Sequence, residues 1–286
     1  MRNTVRIELW KATHNPLFYT SILCGISISS LGIYENIQIV NTITGMLKAI
    51  DTEALGISTS CEGCSLFVNW IATTGMSYAS SLFYLVWPIL ASMPYGWSYC
   101  RERSTGLTEQ IITRSCRCRY YYEKYLAIFL SGGIAVAFPI LWNLLGSALF
   151  CPYYVPNVTT SIAPIFSQAF LSKLYYSVPW IYAAIWCGVD FLWGGVTACL
   201  CLLVGTKVRL TFLVVLSPFL ILSAIDVVYT FACSLMDIDI LLSPIQLAKA
   251  ATFIPNPEWV VFSLIFLLLA ITLIAGASVV IKHDYI

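Results

Sequence analysis

The chain has 286 residues, of which 59% are hydrophobic and only 10% are charged, and its mean hydropathy is +0.83. A water-soluble domain of ordinary composition carries about a quarter charged residues, so this composition excludes a soluble globular domain. The net charge of +1 gives no reason to expect a nucleic-acid partner. We therefore interpret the chain as an integral membrane protein and not as a soluble enzyme.

Six apolar runs are long enough to cross a bilayer, which requires about 20 mostly apolar residues for each helix. In chain order these runs are 17–34, 79–93, 125–150, 178–204, 210–232 and 260–281. Pro88 and Pro139 lie inside two of the runs, where neighbouring helices satisfy the carbonyl groups that a proline leaves free. The pattern predicts a single all-α transmembrane domain over 1–286 with six transmembrane helices.

The polar stretches between the runs differ in charge, and this difference predicts the orientation of the chain. With the N-terminus inside the cell, every Lys and Arg faces the cytoplasm except Lys48, Lys173 and Lys249. Cytoplasmic loops are enriched in Lys and Arg, so we expect a multi-pass protein of the cell membrane with both termini cytoplasmic. The extracellular stretches are then 35–75, 151–177 and 233–259, and the cytoplasmic stretch is 94–124.

The cysteines follow the same division between compartments. Cys61, Cys64, Cys151 and Cys233 fall on the extracellular side, where disulfides persist. Four cysteines allow three pairings, and the favoured pairs are Cys61 with Cys64 and Cys151 with Cys233. One CxxC motif without a second pair or a histidine is weak support for zinc, so a structural role is expected and no metal site.

The sequence contains no catalytic or nucleotide-binding motif. Nothing matches the GxxxxGK[ST] phosphate loop, and the only histidines, His14 and His283, lie near the ends of the chain. A histidine-dependent triad within the membrane and an HExxH metal site are therefore excluded. We expect a chain that is not an enzyme, holds no cofactor of its own, and binds and moves another molecule.

Three polar residues inside the apolar runs are candidates for a substrate path, namely Asn143, Asp190 and Asp226. Carboxylates within a membrane are costly and usually face a bundle interior or a wet cavity. Asp190 and Asp226 fit either a substrate or proton path, or a hydrogen bond between helices. A structural or lining role is favoured over proton coupling, because a proton-coupled carrier ordinarily shows more such groups and a basic partner.

The cytoplasmic stretch 94–124 carries the most informative pattern. Pro94 and Gly96 predict the end of the second transmembrane helix, and residues 107–114 predict a short helix with Leu107 and Ile111 near one face. Basic residues are typical of any inner loop. Apolar residues on a short helix at the water side are not explained in that way, and they indicate a docking partner.

This stretch resembles the inner loop of ABC-2 type transporter permeases, the membrane subunits of a class of ATP-driven exporters. The family pattern is matched here by Pro94, Gly96, Glu102, Gly106, Arg114, Tyr122 and Lys124. Residues 1–16, with a weak apolar stripe of Val5, Leu9 and Ala12, resemble the family's elbow helix along the inner membrane surface. The chain departs from the family in its long stretch 35–75 with a cysteine pair, and in Asp190 and Asp226.

The resemblance implies a division of labour between subunits. Two permease copies, identical or paralogous, pair with two cytoplasmic ABC ATPase subunits, which bind the ATP and Mg. The short helix becomes a coupling helix, and the ATPase-coupling residues are Glu102, Gly106, Leu107, Ile111 and Arg114. The stretch 233–259, interrupted by prolines, resembles the re-entrant helices of the family, and we expect it to form part of an outer gate.

The substrate is bounded only by composition and analogy. The six runs are nearly free of charge and rich in aromatic residues, which favours a hydrophobic or amphipathic cargo over a small ion. By analogy with related permeases, an exported peptide such as a bacteriocin or toxin is the first expectation. Two alternatives remain open, a proton-coupled secondary carrier that uses Asp190 and Asp226, and a membrane immunity or sensor scaffold that does not transport.

Overall fold

The structure is a computed structural model that describes residues 2–49, 65–74, 77–113, 116–156, 165, 169–236, 242–250 and 258–282. Every regular element in this part of the chain is a helix. In chain order the helices are α1 (Arg2–Thr13), α2 (Pro16–Ala49), α3 (Leu66–Asn69), α4 (Tyr78–Ser92), α5 (Ser98–Ser104), α6 (Leu107–Ile112), α7 (Arg117–Ala148), α8 (Ser172–Ser177), α9 (Pro179–Gly205), α10 (Thr211–Met236), α11 (Pro244–Leu247) and α12 (Glu258–Lys282).

Four of these helices, α2, α7, α9 and α10, are long and apolar enough to cross a membrane. Helices α4 and α12 contain shorter apolar segments, Tyr78–Ser92 and Glu258–Ile274. Each of the six apolar runs predicted from the sequence falls on one of these six helices. The described residues therefore form an all-helical chain with the character of a membrane protein.

Helices α7 and α9 form the centre of the assembly and share its most extensive contact. Glycines let the two backbones approach closely: a Cβ on Gly132 would lie 2.4 Å from the Cβ of Ala198, and one on Gly194 would lie 2.9 Å from the Gly132 carbonyl oxygen. Beside this crossing, the rings of Phe129 and Phe191 meet edge to face with centroids 5.9 Å apart. Lipid provides no hydrophobic driving force between membrane helices. Small residues at a crossing favour association because they let the two helices pack closely.

Helix α2 is longer than the run that predicted it. It continues to Ala49, so residues 35–49, which are part of the predicted extracellular stretch 35–75, are helical. No proline interrupts this part, and Ile37, Val40 and Ile43 recur at near-helical spacing and are half-buried. The run ended early in the sequence interpretation because polar residues become frequent after Tyr34.

The segment 65–74 packs into the assembly and is not a solvated loop. Phe67, Trp70 and Ile71 are buried. Trp70 Nε1 donates a hydrogen bond to the Ile140 carbonyl oxygen of α7 at 3.2 Å. Without this bond the buried indole N–H would have no hydrogen-bond partner. The predicted loop 35–75 thus ends in a buried apolar segment.

The chain just beyond α11 forms a backbone hydrogen bond with that segment. The backbone N–H of Ala250 donates to the carbonyl oxygen of Ala72 at 3.1 Å, and Pro244 begins α11 where its missing N–H costs nothing. Ser243 and Leu247 are fully buried. The predicted re-entrant region 233–259 therefore contains a short buried helix, and its first residues belong to α10. We call this end of the assembly the α11 end.

The opposite end, which we call the α1 end, collects α1, α5, α6 and the start of α7. A turn over residues 93–97 joins α4 to α5, and Gly96 is required there because a Cβ would lie 2.6 Å from the Ser92 carbonyl oxygen. Helix α7 begins at Arg117, so residues 117–124 of the predicted coupling loop 94–124 are helical. On α1, Ala12 is buried and Leu9 is half-buried against the core.

Candidate functional site

A fully buried lysine organises the α1 end. Lys124, in the second turn of α7, has no solvent exposure. Its Nζ lies 2.8 Å from Glu8 Oε2 on α1 and 2.6 Å from Glu102 Oε1 on α5. It also donates to the hydroxyl oxygen of Tyr95 in the turn after α4, at 3.2 Å. One cation thus joins four separate parts of the chain, and we call this group the Lys124 network.

Glu8 is shared between two cations. Its Oε1 lies 2.7 Å from Lys11 Nζ one turn further along α1, while its Oε2 accepts from Lys124. Burial alone would raise the pKa of Glu8, but attraction to Lys124 and the hydrogen bonds from Lys11 and Lys124 outweigh it, so the pKa is lowered. Burial lowers the pKa of Lys11, whereas the Glu8 carboxylate raises it, and the net effect is a raised pKa. Both groups are therefore ionised near neutral pH.

Two tyrosines enclose the charges. The Tyr95 hydroxyl donates to Glu8 Oε2 at 2.8 Å, and the Tyr120 hydroxyl donates to Glu102. Lys124 Nζ lies 4.7 Å from the centre of the Tyr95 ring, close enough for a cation–π attraction. Burial and the neighbouring Glu8 carboxylate raise the pKa of Tyr95, which keeps the hydroxyl a neutral donor. Each charge at the site therefore has several polar partners.

The predicted coupling segment lies directly on this network. Glu102 belongs to α5, and Gly106 adopts φ 72°, a left-handed conformation that glycine accepts without strain and that turns the chain into α6. Leu107 is 40% exposed at the start of α6, whereas Thr108 is buried. Ile111 is half-buried. Arg114, the fifth predicted coupling residue, lies outside the described residues.

Helix α5 also contacts the connection between α9 and α10. Arg103 donates from its guanidinium to the Thr206 carbonyl oxygen, and Cys100 Sγ lies 3.3 Å from the Val208 carbonyl oxygen. Because α5 touches this turn as well as the Lys124 network, a displacement of α5 acts on α1, α7 and the α9–α10 connection together.

Sequence reasoning singled out Glu102 and Lys124 but missed Glu8, Tyr95 and Tyr120. A signal for Glu8 was present. On a helix, Glu8 lies three residues after Val5 and four before Ala12, which places a carboxylate within the predicted apolar stripe of α1. A charge in that position needs a buried partner.

The three predicted substrate-path residues are not brought together. Asn143 on α7 is fully buried and joins two other segments: its Oδ1 accepts from the Ile71 N–H at 3.1 Å, and its Nδ2 donates to the Ser29 carbonyl oxygen at 2.8 Å. Both ends of the amide are thus used to hold segment 65–74 against α2 and α7. Its role in this structure is to tie segments together.

Asp226 on α10 ties down the neighbouring α11 region. Its Oδ1 accepts from Ser243 Oγ at 2.5 Å and from Gln246 Nε2 at 2.8 Å. The carboxylate is only partly buried. Asp226 therefore serves as an anchor between two helices, which is the structural reading that the sequence left open.

Asp190 on α9 differs from both. Its side chain is 1% exposed, and neither carboxylate oxygen has a hydrogen-bond partner. No lysine or arginine among the described residues pairs with it. A buried carboxylate without partners is costly, so it requires an explanation.

Two of the four predicted disulfide cysteines are described. Cys151 is buried after α7 and Cys233 is half-buried on α10, and both are free thiols, so the structure does not contain the predicted Cys151–Cys233 bridge. Cys151 follows α7 and Cys233 lies on α10, and these two helices make no extensive contact with each other, which the shared compartment did not reveal. Cys61 and Cys64 lie outside the described residues.

The described helices and the Lys124 network define a class, an all-helical membrane-type protein with a charged network buried at one end. Within the described part of the chain, no three His, Cys, Asp or Glu side chains group to hold a metal ion. No protein-family model, curated protein or solved structure matches the chain.

Proposed function

We propose that this chain is the permease subunit of an ABC exporter, which moves a hydrophobic or amphipathic cargo out of the cell. In this proposal the six apolar helices cross the cell membrane, α1 lies along its inner surface as an elbow helix, and both termini are cytoplasmic. Two permease copies, identical or paralogous, work with separate ATPase subunits that bind ATP and Mg. The cargo expected first is a peptide.

The observation that carries the proposal is the Lys124 network. An ATP-driven permease needs a rigid link between the surface that contacts the ATPase and the helices that move. Here Glu102 on the coupling segment, Glu8 on α1 and Tyr95 after α4 share one buried cation. Charged hydrogen bonds in a low-dielectric interior are strong and directional, so a push on α5 and α6 is transmitted to α1, α4 and α7 as a unit.

The docking surface in this proposal is α6. Leu107 presents an apolar side chain at the start of α6, and the left-handed Gly106 turns the chain from α5 into α6. A short amphipathic helix of this kind fits a groove on a partner protein. The described segments 65–74 and α11, joined through Ala72 and Ala250, close the α11 end, which supports an outer gate at that position.

The test is co-purification of the tagged chain with the ATPase encoded beside it, followed by an ATPase assay. We expect Leu107→Asp with Ile111→Asp to release the ATPase subunit while the permease remains folded. The matched control is Cys116→Asp with Cys118→Asp, which places the same charges at exposed positions at the start of α7, where a helix N-terminus tolerates acidic residues. Retention of the ATPase by the α6 variant, or the lack of any associated ATPase, would contradict the proposal.

The second candidate function is a proton-coupled carrier, and the observation that favours it is the unpartnered Asp190. This function predicts that Asp190→Asn stops transport into vesicles driven by a proton gradient alone. It also predicts that ATP and an ATPase subunit are irrelevant to transport. Transport that requires ATP would remove this candidate.

A further inference from the structure

One face of α9 carries a column of buried polar atoms that lack hydrogen-bond partners. These belong to Tyr182, Trp186, Asp190, Trp193 and Thr197. Successive members are three or four residues apart, so they lie on one side of the helix. From Tyr182 to Thr197 the column covers roughly 22 Å at the ordinary rise of an α-helix.

Helix α4, which packs on α9, contributes two more such residues. Tyr84 and Trp87 are buried and three residues apart, and neither the Tyr84 hydroxyl nor Trp87 Nε1 has a partner. The Tyr84 hydroxyl lies close to the Asp190 carboxyl and to the Trp186 indole without the geometry of a hydrogen bond. We call these seven residues the α4–α9 seam.

The hydrogen-bond donors and acceptors of the seam are not matched to one another. This mismatch indicates which kind of ligand would satisfy them. Three indole N–H groups, on Trp87, Trp186 and Trp193, are donors only, and the Asp190 carboxylate, when ionised, is an acceptor only. Each unsatisfied buried group carries a free-energy penalty, and seven such residues lie on the two helices α4 and α9. A purely hydrocarbon cargo would leave every one of them unsatisfied.

A cationic peptide supplies the missing partners. Backbone carbonyl oxygens of a peptide accept hydrogen bonds from indole N–H groups, and an ammonium or guanidinium group pairs with a carboxylate. The aromatic faces of the seam add cation–π attraction. A neutral lipid or a simple anion offers no cation to Asp190.

We propose that the α4–α9 seam is the cargo-recognition site and that it binds an amphipathic peptide whose cationic group pairs with Asp190. This inference rests on the proposed export function and names the chemistry of its substrate. The seam is closed in this structure, so the peptide enters when α4 and α9 separate. Helix α4 leads into the turn that holds Tyr95, which links the seam to the Lys124 network.

The test measures peptide binding to the purified chain in nanodiscs of zwitterionic lipid, without any ATPase. The probes are two labelled amphipathic peptides of equal length, one that alternates Leu with Lys and one that alternates Leu with Ser. Fluorescence anisotropy gives the affinities, and empty nanodiscs give the lipid background. We expect the Lys peptide to bind at least about tenfold more tightly than the Ser peptide.

Variants separate recognition from folding. Asp190→Asn should abolish the preference for the Lys peptide, and Asp190→Glu, which restores the charge, should retain it. Glu35→Gln is the control, since it neutralises a carboxylate that already accepts from Ser77 and the Ala79 N–H outside the seam.

Equal affinity of wild type for both peptides would overturn the inference and leave internal water as the occupant of the seam. A preference that survives in Asp190→Asn would also overturn it. Because the assay contains no ATPase, its outcome is independent of the co-purification test. A peptide preference without an associated ATPase would refute only the exporter proposal, and an associated ATPase without a peptide preference would refute only this inference.

Discussion

At the scale of single residues, Lys124 is a fully buried cation held by two carboxylates. It carries a charge without any exposure to solvent, and it balances Glu8 and Glu102 at hydrogen-bond distance. Buried ion pairs are weak contributors to net stability, because desolvation offsets their attraction, but removal of one member is costly. The network therefore acts chiefly by fixing the positions of α1, α5, α7 and the turn after α4 relative to one another.

Lys124→Met tests this role of the Lys124 network. The substitution keeps the length of the side chain but leaves the buried Glu8 carboxylate and the half-buried Glu102 carboxylate without their shared cation, so we expect a loss of about 3–5 kcal/mol of stability. Thermal unfolding in detergent measures it. The triple variant Glu8→Gln, Glu102→Gln, Lys124→Met should be more stable than Lys124→Met alone. If the triple variant is the less stable of the two, charge imbalance is not the cause.

The lowered pKa of Glu8 predicts a dependence of stability on pH. Above the ordinary value of 4.5 the carboxylate is ionised in both folded and unfolded chains, and its full stabilisation is present. As the pH falls below that value, the unfolded chain binds a proton first, so stability is lost until the folded pKa is passed. Unfolding midpoints between about pH 6 and pH 3.5 should decline more steeply for wild type than for Glu8→Gln. Parallel slopes would show that Glu8 is not the titrating group.

At the scale of elements, the close crossing of α7 and α9 sets the core. We expect Gly132→Ala to destabilise the protein by about 1–3 kcal/mol, because the new Cβ would meet Ala198 and the Ala91 carbonyl oxygen, and neither is free to move away. Gly188→Ala on α9 is the matched control, since nothing lies within 4 Å of its Cβ position. If the unfolding midpoints of the two variants shift equally, the close crossing of α7 and α9 is not the cause of the lost stability.

The elements themselves were largely predictable from the sequence, and the reason is physical. An apolar run of about 20 residues has few alternatives to a helix in a membrane, so all six runs fall on helices. The short helix α6 was also predicted, from the spacing of Leu107 and Ile111. The burial of segment 65–74 was not predictable, because it depends on Ile140 and Asn143, which are distant in the sequence.

The candidate site was predictable only in part. Glu102 and Lys124 were identified through a resemblance in pattern, but pattern does not reveal that they pair, or that Glu8 completes the pair from the start of the chain. From the sequence alone Asp190 and Asp226 could not be distinguished, because each is an aspartate within an apolar run. Their environments separate them: Asp226 has Ser243 and Gln246, whereas Asp190 has no partner.

At the scale of the whole molecule, the two ends of the assembly differ in chemistry. The α1 end holds the Lys124 network and the exposed α6, and the α11 end is closed by buried apolar segments that meet at Ala72 and Ala250. The α4–α9 seam lies between them. In the exporter proposal this order places the energy input at one end, the cargo in the middle and the exit at the other.

The orientation of this arrangement is open to a direct measurement. Cys116 and Cys118 are exposed thiols just before and within the first turn of α7, beside α6. Cys24 is also exposed, but it lies well inside the candidate span Pro16–Met46, where lipid shields it from a charged reagent, whereas Cys118 is the first residue of the span Cys118–Ala148. We therefore expect a membrane-impermeant maleimide to modify Cys116 and Cys118 in inside-out vesicles and to spare them in intact cells. Mass spectrometry of the labelled peptides identifies each site.

The labelling pattern bears on every function considered for this chain. Modification of Cys116 and Cys118 in intact cells would place α6 outside, where no ATPase could reach it, and the exporter proposal would fail whatever the network does. Modification only from the inside leaves Leu107 facing the compartment that holds ATP. Cys116→Ser with Cys118→Ser provides the control, since it should remove the inside signal and leave the assembly intact, because both side chains are exposed. The same vesicles then serve for transport assays, so orientation and direction of movement are established in one preparation.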